Sequence, residues 1–146
     1  MKIVLQRVSE ASVIINQLIH NEIKSGLLIL LGIEEDDFEK EADYLIQKIS
    51  SMRIFSDSDE KMNLSIKDIK GEFLVISQFT LLANTKKGNR PSFIKAARPE
   101  KAIPLYEYFL ENLKKHSNLI VKAGVFGADM KVKLINDGPV TILIES

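Results

Sequence analysis

Gly26-Leu27-Leu28-Ile29-Leu30-Leu31-Gly32 is an apolar run bounded by glycines, the composition of a strand covered on both faces. It predicts a central strand. Upstream, residues 2–9 and 12–15 are rich in Val and Ile, and Asn16-Gln17 offers a short turn into residues 18–23, so this part reads as strands with a hairpin. Downstream, Phe38, Ala42, Leu45, Ile49 and Met52 recur at spacings of three and four. That is a helix period, with Asp36 or Asp37 as the expected cap and acids in the first turn, where the helix dipole favours them.

Further along, Arg53-Ile54-Phe55 reads as a short strand, residues 56–61 as a polar loop and residues 72–79 as a strand. Residues 84–91 contain Gly88 and Pro91 and no periodicity, which predicts an exposed loop. Pro99 suits the first turn of a second helix running to about His116, with Leu105, Phe109 and Leu113 on one face. Pro104 lies early enough that its missing donor costs little. Strands are expected at residues 119–125, 130–135 and 140–145, with turns at Gly127 and Gly138. The sum is one α+β domain over residues 1–146: a curled, barrel-like mixed β-sheet with two main helices packed on it. Ile142, Leu143 and Ile144 are consecutive and apolar, so both faces of the last strand need cover, and a symmetric dimer partner is one way to supply it.

Composition narrows the function. With 45% hydrophobic and 27% charged residues the chain is an ordered globular protein and not a disordered one. Cysteine is absent, which excludes disulfides, thiolate zinc sites and cysteine nucleophiles. The longest apolar run, residues 27–31, is far shorter than the roughly 20 residues of a spanning helix, and residues 1–7 lack a signal-peptide core. A mature protein starting at Met1 is the expectation, and a cytoplasmic address is compatible with it.

A formal net charge of zero argues against coating nucleic acid by charge alone. The distribution is uneven, however. Lys86, Lys87, Arg90, Lys95, Arg98 and Lys101 face one acid, Glu100, while Glu34, Glu35, Asp36, Asp37, Glu39, Glu41 and Asp43 face one base, Lys40. Such poles orient an anionic partner, though two solvated surfaces account for them equally.

The familiar catalytic constellations are missing. Only His20 and His116 exist, one in a hairpin strand and one at a helix end, so neither a Ser-His-Asp triad nor a His-Glu metal motif is predicted. No metal and no cofactor are expected. What remains is hydroxyl and amide chemistry in Ser77-Gln78-Phe79-Thr80 and in Asn136-Asp137-Gly138-Pro139-Val140-Thr141. Gly before Pro relaxes the backbone, and an X-Pro bond adopts cis at modest cost, so Gly138-Pro139 can aim two carbonyls in one direction, toward a group such as an α-ammonium. Without a base, a serine or threonine hydroxyl is a weak nucleophile. Hydrolysis here therefore needs a substrate that is already reactive or brings its own catalytic group, with the Phe79 and Thr80 amides as an oxyanion site. Taken singly, Thr80 and Thr141 also suit plain strands, and Gly138-Pro139 a plain turn.

Taken together, the two motifs resemble the signatures of the D-aminoacyl-tRNA deacylases, also called D-tyrosyl-tRNA deacylases. Residues 1–8, Lys87-Gly88-Asn89-Arg90-Pro91-Ser92-Phe93 and Phe126-Gly127-Ala128-Asp129-Met130 extend the resemblance over nearly the whole chain. It implies a cytoplasmic homodimer that hydrolyses the ester joining a D-amino acid to the terminal adenosine of tRNA, and glycine mischarged on tRNA. It also implies a cis Gly138-Pro139 inserted from one subunit into a pocket of the other, lined by Ser77, Gln78, Phe79 and Thr80. Whether Thr80 is the nucleophile or the substrate's 2′-hydroxyl assists water stays open at this level. Lys86, Lys87, Arg90, Lys95 and Arg98 are expected to contact acceptor-stem phosphates, while Arg7 reads equally as a brace for the Gly138-Pro139 loop or as a plain surface arginine. The rival readings are a non-catalytic RNA-binding dimer and a hydrolase of other activated esters.

Overall fold

A computed structural model describes all 146 residues. Eight strands and two helices occur in the order β1 (Lys2–Ile15), β2 (Leu18–Ile23), β3 (Gly26–Gly32), α1 (Glu39–Ser51), β4 (Phe55–Ser56), β5 (Met62–Leu64), β6 (Glu72–Ser77), α2 (Pro99–Ser117), β7 (Val121–Ala123) and β8 (Lys131–Glu145). Strand β1 is the hub. One of its edges pairs antiparallel with β3 over Lys2 to Val8 and with β2 over Ala11 to Ile15, while β8 runs antiparallel along the other edge. Strands β6 and β7 then add in parallel beyond β3. Asn21 Nδ2 donates to the Ala123 carbonyl at 2.7 Å and Lys122 Nζ to the Glu22 carbonyl at 2.6 Å, tying β2 to β7 and curling the sheet into a nearly closed barrel.

The glycine-bounded run is central, as its composition predicts. Leu27, Ile29 and Leu31 enter the main core with Phe73 and Val75 of β6 and the apolar faces of both helices, including Leu45, Ile49, Leu105, Phe109 and Leu113. Leu28 points the other way, into a second cluster with Val8, Val13, Leu74 and Ile76. Alternation along one strand thus feeds two cores. The Asn16-Gln17 turn has both residues at positive φ, 50° and 66°, the geometry that matches a right-handed hairpin twist.

Several boundaries differ from the sequence reading. The short strand expected over Arg53-Ile54-Phe55 is β4 at Phe55–Ser56, where β5 supplies its partner. β1 is one strand through residues 10–11, because β8 and β2 continue its pairing past a register shift at Val8 to Glu10. Neither Asp36 nor Asp37 caps α1. The N-cap is Phe38, whose N–H donates to Glu41 Oε2 at 2.9 Å, while the buried Asp37 is taken up by the Met1 ammonium at 2.5 Å and the Glu34 N–H at 2.6 Å. A buried cation demands a carboxylate more strongly than an exposed helix end does. Residues 119–125 shorten to β7 because only Val121 to Ala123 are in register with β6, with Ile120 and Gly124 adding one backbone bond each at its ends. Gly138 is no hairpin turn either: β8 runs continuously through it. In that strand Ile142 and Ile144 pack against the main core, whereas Leu143 is 62% exposed. No helix is long and apolar enough to cross a membrane.

Candidate active site

Ser77 ends β6 opposite Leu31, and the Gln78 N–H donates to the Leu31 carbonyl at 2.8 Å. At Gln78 the backbone leaves the strand (φ −145°, ψ 79°) and Phe79–Leu82 form a 3₁₀ turn. The strand expected over residues 72–79 therefore stops at Ser77. Within the turn the Leu81 N–H bonds to the Gln78 carbonyl and the Ala83 N–H to the Thr80 carbonyl, but the Phe79 and Thr80 N–H groups have no acceptor in the chain. The first amides of any helical turn are orphaned in this way. Gln78 Nε2 donates to Thr80 Oγ1 at 2.6 Å, which fixes the exposed threonine side chain.

Beside this strand end lies a cleft of about 320 Å³ lined by Leu31, Ile33, Ile76, Ser77, Gln78, Phe79, Ala97, Ala102, Val132 and the segment Phe126 to Met130. Ser77, Gln78 and Phe79 share it; Thr80 stands next to it. Its walls are mainly apolar, and its one ionisable residue, Asp129, pairs with Lys131 at 2.6 Å. A larger groove of about 800 Å³ is bordered by Glu10, Glu22, Lys24, Glu72, Lys122 and Lys133, alternating charges with none of the motif residues. Of the two, only the smaller cleft is lined by residues of the Ser77 to Thr80 motif.

Ala97, Ala102, Phe126 and Met130 are cleft residues that composition and periodicity did not single out. Phe126 and Met130 carried a signal only through the family resemblance. The alanines carried none, because a small residue marks a cavity wall only once the fold is known.

Gly138-Pro139 does not line this cleft in its own chain. The peptide bond is cis. Thr141 pairs with Gln6 and Asn136 with Val8, so residues 137–140 bulge opposite Arg7 alone. Arg7 aligns with Leu27, and Leu27 with Phe73, four residues before Ser77. The bulge is thus roughly 13 Å along the strands and about 14 Å, three strand spacings, across the sheet from the Ser77 end. Gly138 and Pro139 are exposed, and the buried Arg7 holds their base: Nε donates to the Asp137 carbonyl at 3.0 Å and Nη1 to the Ile54 carbonyl at 2.6 Å. Of the two readings of Arg7, the brace therefore holds and the plain surface arginine does not.

The charged segments are not opposite poles. Glu34 bridges Ala96, the Glu35 N–H donates to the Lys95 carbonyl, and Glu35 accepts from the Arg98 N–H, so the two segments abut. Lys101 also bonds to the Glu35 carbonyl and lies over the Phe38 ring. Lys86, Lys87 and Arg90 remain apart on an exposed excursion pinned at its neck by paired Asn84 and Ser92 backbone bonds of 2.7 and 3.0 Å. Lys95 and Arg98 are exposed but neighbour Glu35.

Fold and sequence define the class. Residues 4–145 match the family described as D-Tyr-tRNA(Tyr) deacylase, and the chain belongs to that family of hydrolases. Two similar proteins named D-aminoacyl-tRNA deacylase come from Porphyromonas gingivalis and Flavobacterium psychrophilum; each is 59% identical over 146 residues, covering 100% of this chain and 97% of the relative. Among solved structures, the c-Myc DNA unwinding element binding protein matches with a TM-score of 0.94 and 43% identity, over 100% of this chain and 99% of that one. A probable eukaryotic D-amino acid tRNA deacylase matches with a TM-score of 0.85, over 99% of this chain and 98% of that one. At 14% identity that second likeness speaks for the fold alone.

Proposed function

We propose that this protein is a cytoplasmic, homodimeric D-aminoacyl-tRNA deacylase that hydrolyses the ester between a D-amino acid and the terminal ribose of tRNA. The observation that carries this reading is a mainly apolar cleft, of a size to take a flat base, set against two N–H groups with no acceptor of their own. The terminal adenosine occupies the cleft between Phe79 and the Phe126 to Met130 wall. Its ester carbonyl then reaches the Phe79 and Thr80 amides.

Water adds to the carbonyl carbon, and the two amides hold the oxyanion that forms. One well-placed donor of this kind is worth about 3–4 kcal/mol. Collapse breaks the bond to the ribose oxygen, which takes up the proton and leaves as tRNA. The only carboxylate in the cleft is engaged by Lys131, so the substrate's vicinal 2′-hydroxyl, held in place by binding, assists the attack. Thr80 serves by position, not as a nucleophile.

Chirality is read by the partner subunit. The register separation keeps a chain's own bulge out of its own cleft, so the Gly138 and Pro139 carbonyls enter the cleft of the second copy and grip the α-ammonium there. An L side chain collides with that backbone, and a D side chain points away from it. Selection by exclusion needs no recognition of any particular side chain. Glycine has nothing to exclude, so glycyl-tRNA is also cleaved. Leu143 and Ile135, 62% and 55% exposed on β8, are apolar surface for the partner to cover. Lys86, Lys87, Arg90, Lys95 and Arg98 contact phosphates, the first three most freely.

The test is incubation of pure protein with matched D- and L-aminoacyl-tRNA, with free D-amino-acid esters as control. Loss of the D ester alone from tRNA supports the reading. Binding without hydrolysis points to a tRNA-binding protein, and equal cleavage of the free esters to a general esterase.

A further inference from the structure

The cleft's far wall is a loop, yet it is anchored by a residue outside the cleft. Tyr106 of α2 is 3% exposed, and its hydroxyl donates to the Val75 carbonyl at 2.8 Å. That carbonyl also accepts the Gly124 N–H at 3.0 Å, the last rung between β6 and the chain leaving β7. The tyrosine ring meets Phe126 edge to face, with centroids 5.9 Å apart and planes at 60°. Gly124 is in turn closed over by Met130: a Cβ there would sit 2.4 Å from the sulfur. One side chain thus touches both the strand that ends at Ser77 and the aromatic of the opposite wall.

Resting on the deacylase reading, we infer that Tyr106 is a positioning residue for the nucleoside end of the substrate, setting the spacing between the β6 floor and the Phe126 wall. It does not touch the reacting atoms. The hydroxyl is buried and burial raises its pKa, so it stays a donor throughout the working pH range. Without that donor the Val75 carbonyl keeps the Gly124 bond, so the strand pairing survives, but the ring and the wall it supports lose their fixed height. Binding of adenosine suffers; the ester carbonyl's approach to Phe79 and Thr80 does not.

The experiment compares wild type, Tyr106→Phe and Tyr106→Leu in three readouts: steady-state deacylation of D-aminoacyl-tRNA, titration with free adenosine followed by NMR shifts, and thermal melting. Tyr106→Phe is expected to raise KM and the adenosine Kd about tenfold with kcat within about twofold, the signature of lost ground-state binding. Tyr106→Leu, lacking the ring edge as well, exceeds it in both. An active wild type with Tyr106→Phe unchanged in KM and adenosine affinity, or with kcat falling and KM fixed, would overturn the inference alone. A wild type inert toward D-aminoacyl-tRNA would overturn the deacylase reading and this inference together.

Discussion

Arg7 Nε lies 3.0 Å from the Asp137 carbonyl, so a strand in the sheet's centre holds the base of a bulge on its edge. The same guanidinium reaches Ile54 through Nη1 at 2.6 Å, and its planar fork serves both directions at once. Arg7→Ala removes two charge-assisted bonds from a buried position and is expected to cost about 2–4 kcal/mol in chemical denaturation. Arg7→Lys keeps the charge without the fork. It should recover part of the stability and little of the D-aminoacyl-tRNA turnover; full turnover in Arg7→Lys would separate the bulge's geometry from activity.

Gly138 has φ 127°, and a Cβ there would lie 2.8 Å from Arg7 Nη2 and 2.9 Å from Val140 Cγ2. Gly138→Ala is therefore strained in backbone and in space, at about 1–3 kcal/mol. Deacylation should fall by at least about a hundredfold, since a misplacement of about 1 Å near a reacting centre has that effect. Wild-type rates with this variant would remove the bulge from the site.

Thr80 Oγ1 accepts from Gln78 and has no base beside it. Thr80→Ala leaves the Phe79 and Thr80-position amides in place, so single-turnover deacylation should stay within about tenfold of wild type. A rate reduced to background would establish covalent catalysis by the threonine and contradict substrate assistance.

Lys86, Lys87 and Arg90 lie on the exposed excursion, free of the acidic segment that neighbours Lys95 and Arg98. Replacing Lys87 and Arg90 with Ala should flatten the dependence of log affinity on log salt by about 1.5–2 units, the expectation for two lost phosphate contacts. A Lys95 and Arg98 double variant should flatten it less. An unchanged slope in the first would take the excursion out of the tRNA interface.

How far the chain itself discloses this arrangement differs by element. The run from Gly26 to Gly32 reads directly as a two-faced strand because nothing in it is polar. Both helices follow from their periods. The end of β6 was legible in type but not in extent: Phe79 and Thr80 are good strand formers, and only the loss of a partner strand past Leu31 turns them into a 3₁₀ turn. Asp37 misled as a helix cap because its partner, the Met1 ammonium, is 36 residues away in sequence. The distance between the Ser77 and Gly138 motifs was invisible, since it depends on strand order, which no local pattern encodes. That distance is what separates a one-chain site from a two-chain site.

The most direct measurement is therefore subunit complementation. Ala128→Trp fills the cleft, and Gly138→Ala spoils the bulge; each homodimer should be inactive. In an equal mixture of exchanged subunits, half the dimers pair an intact cleft with an intact bulge at one of their two sites, so about a quarter of wild-type D-aminoacyl-tRNA deacylation should return. A mixture no more active than its components would contradict a site built from two copies of the chain.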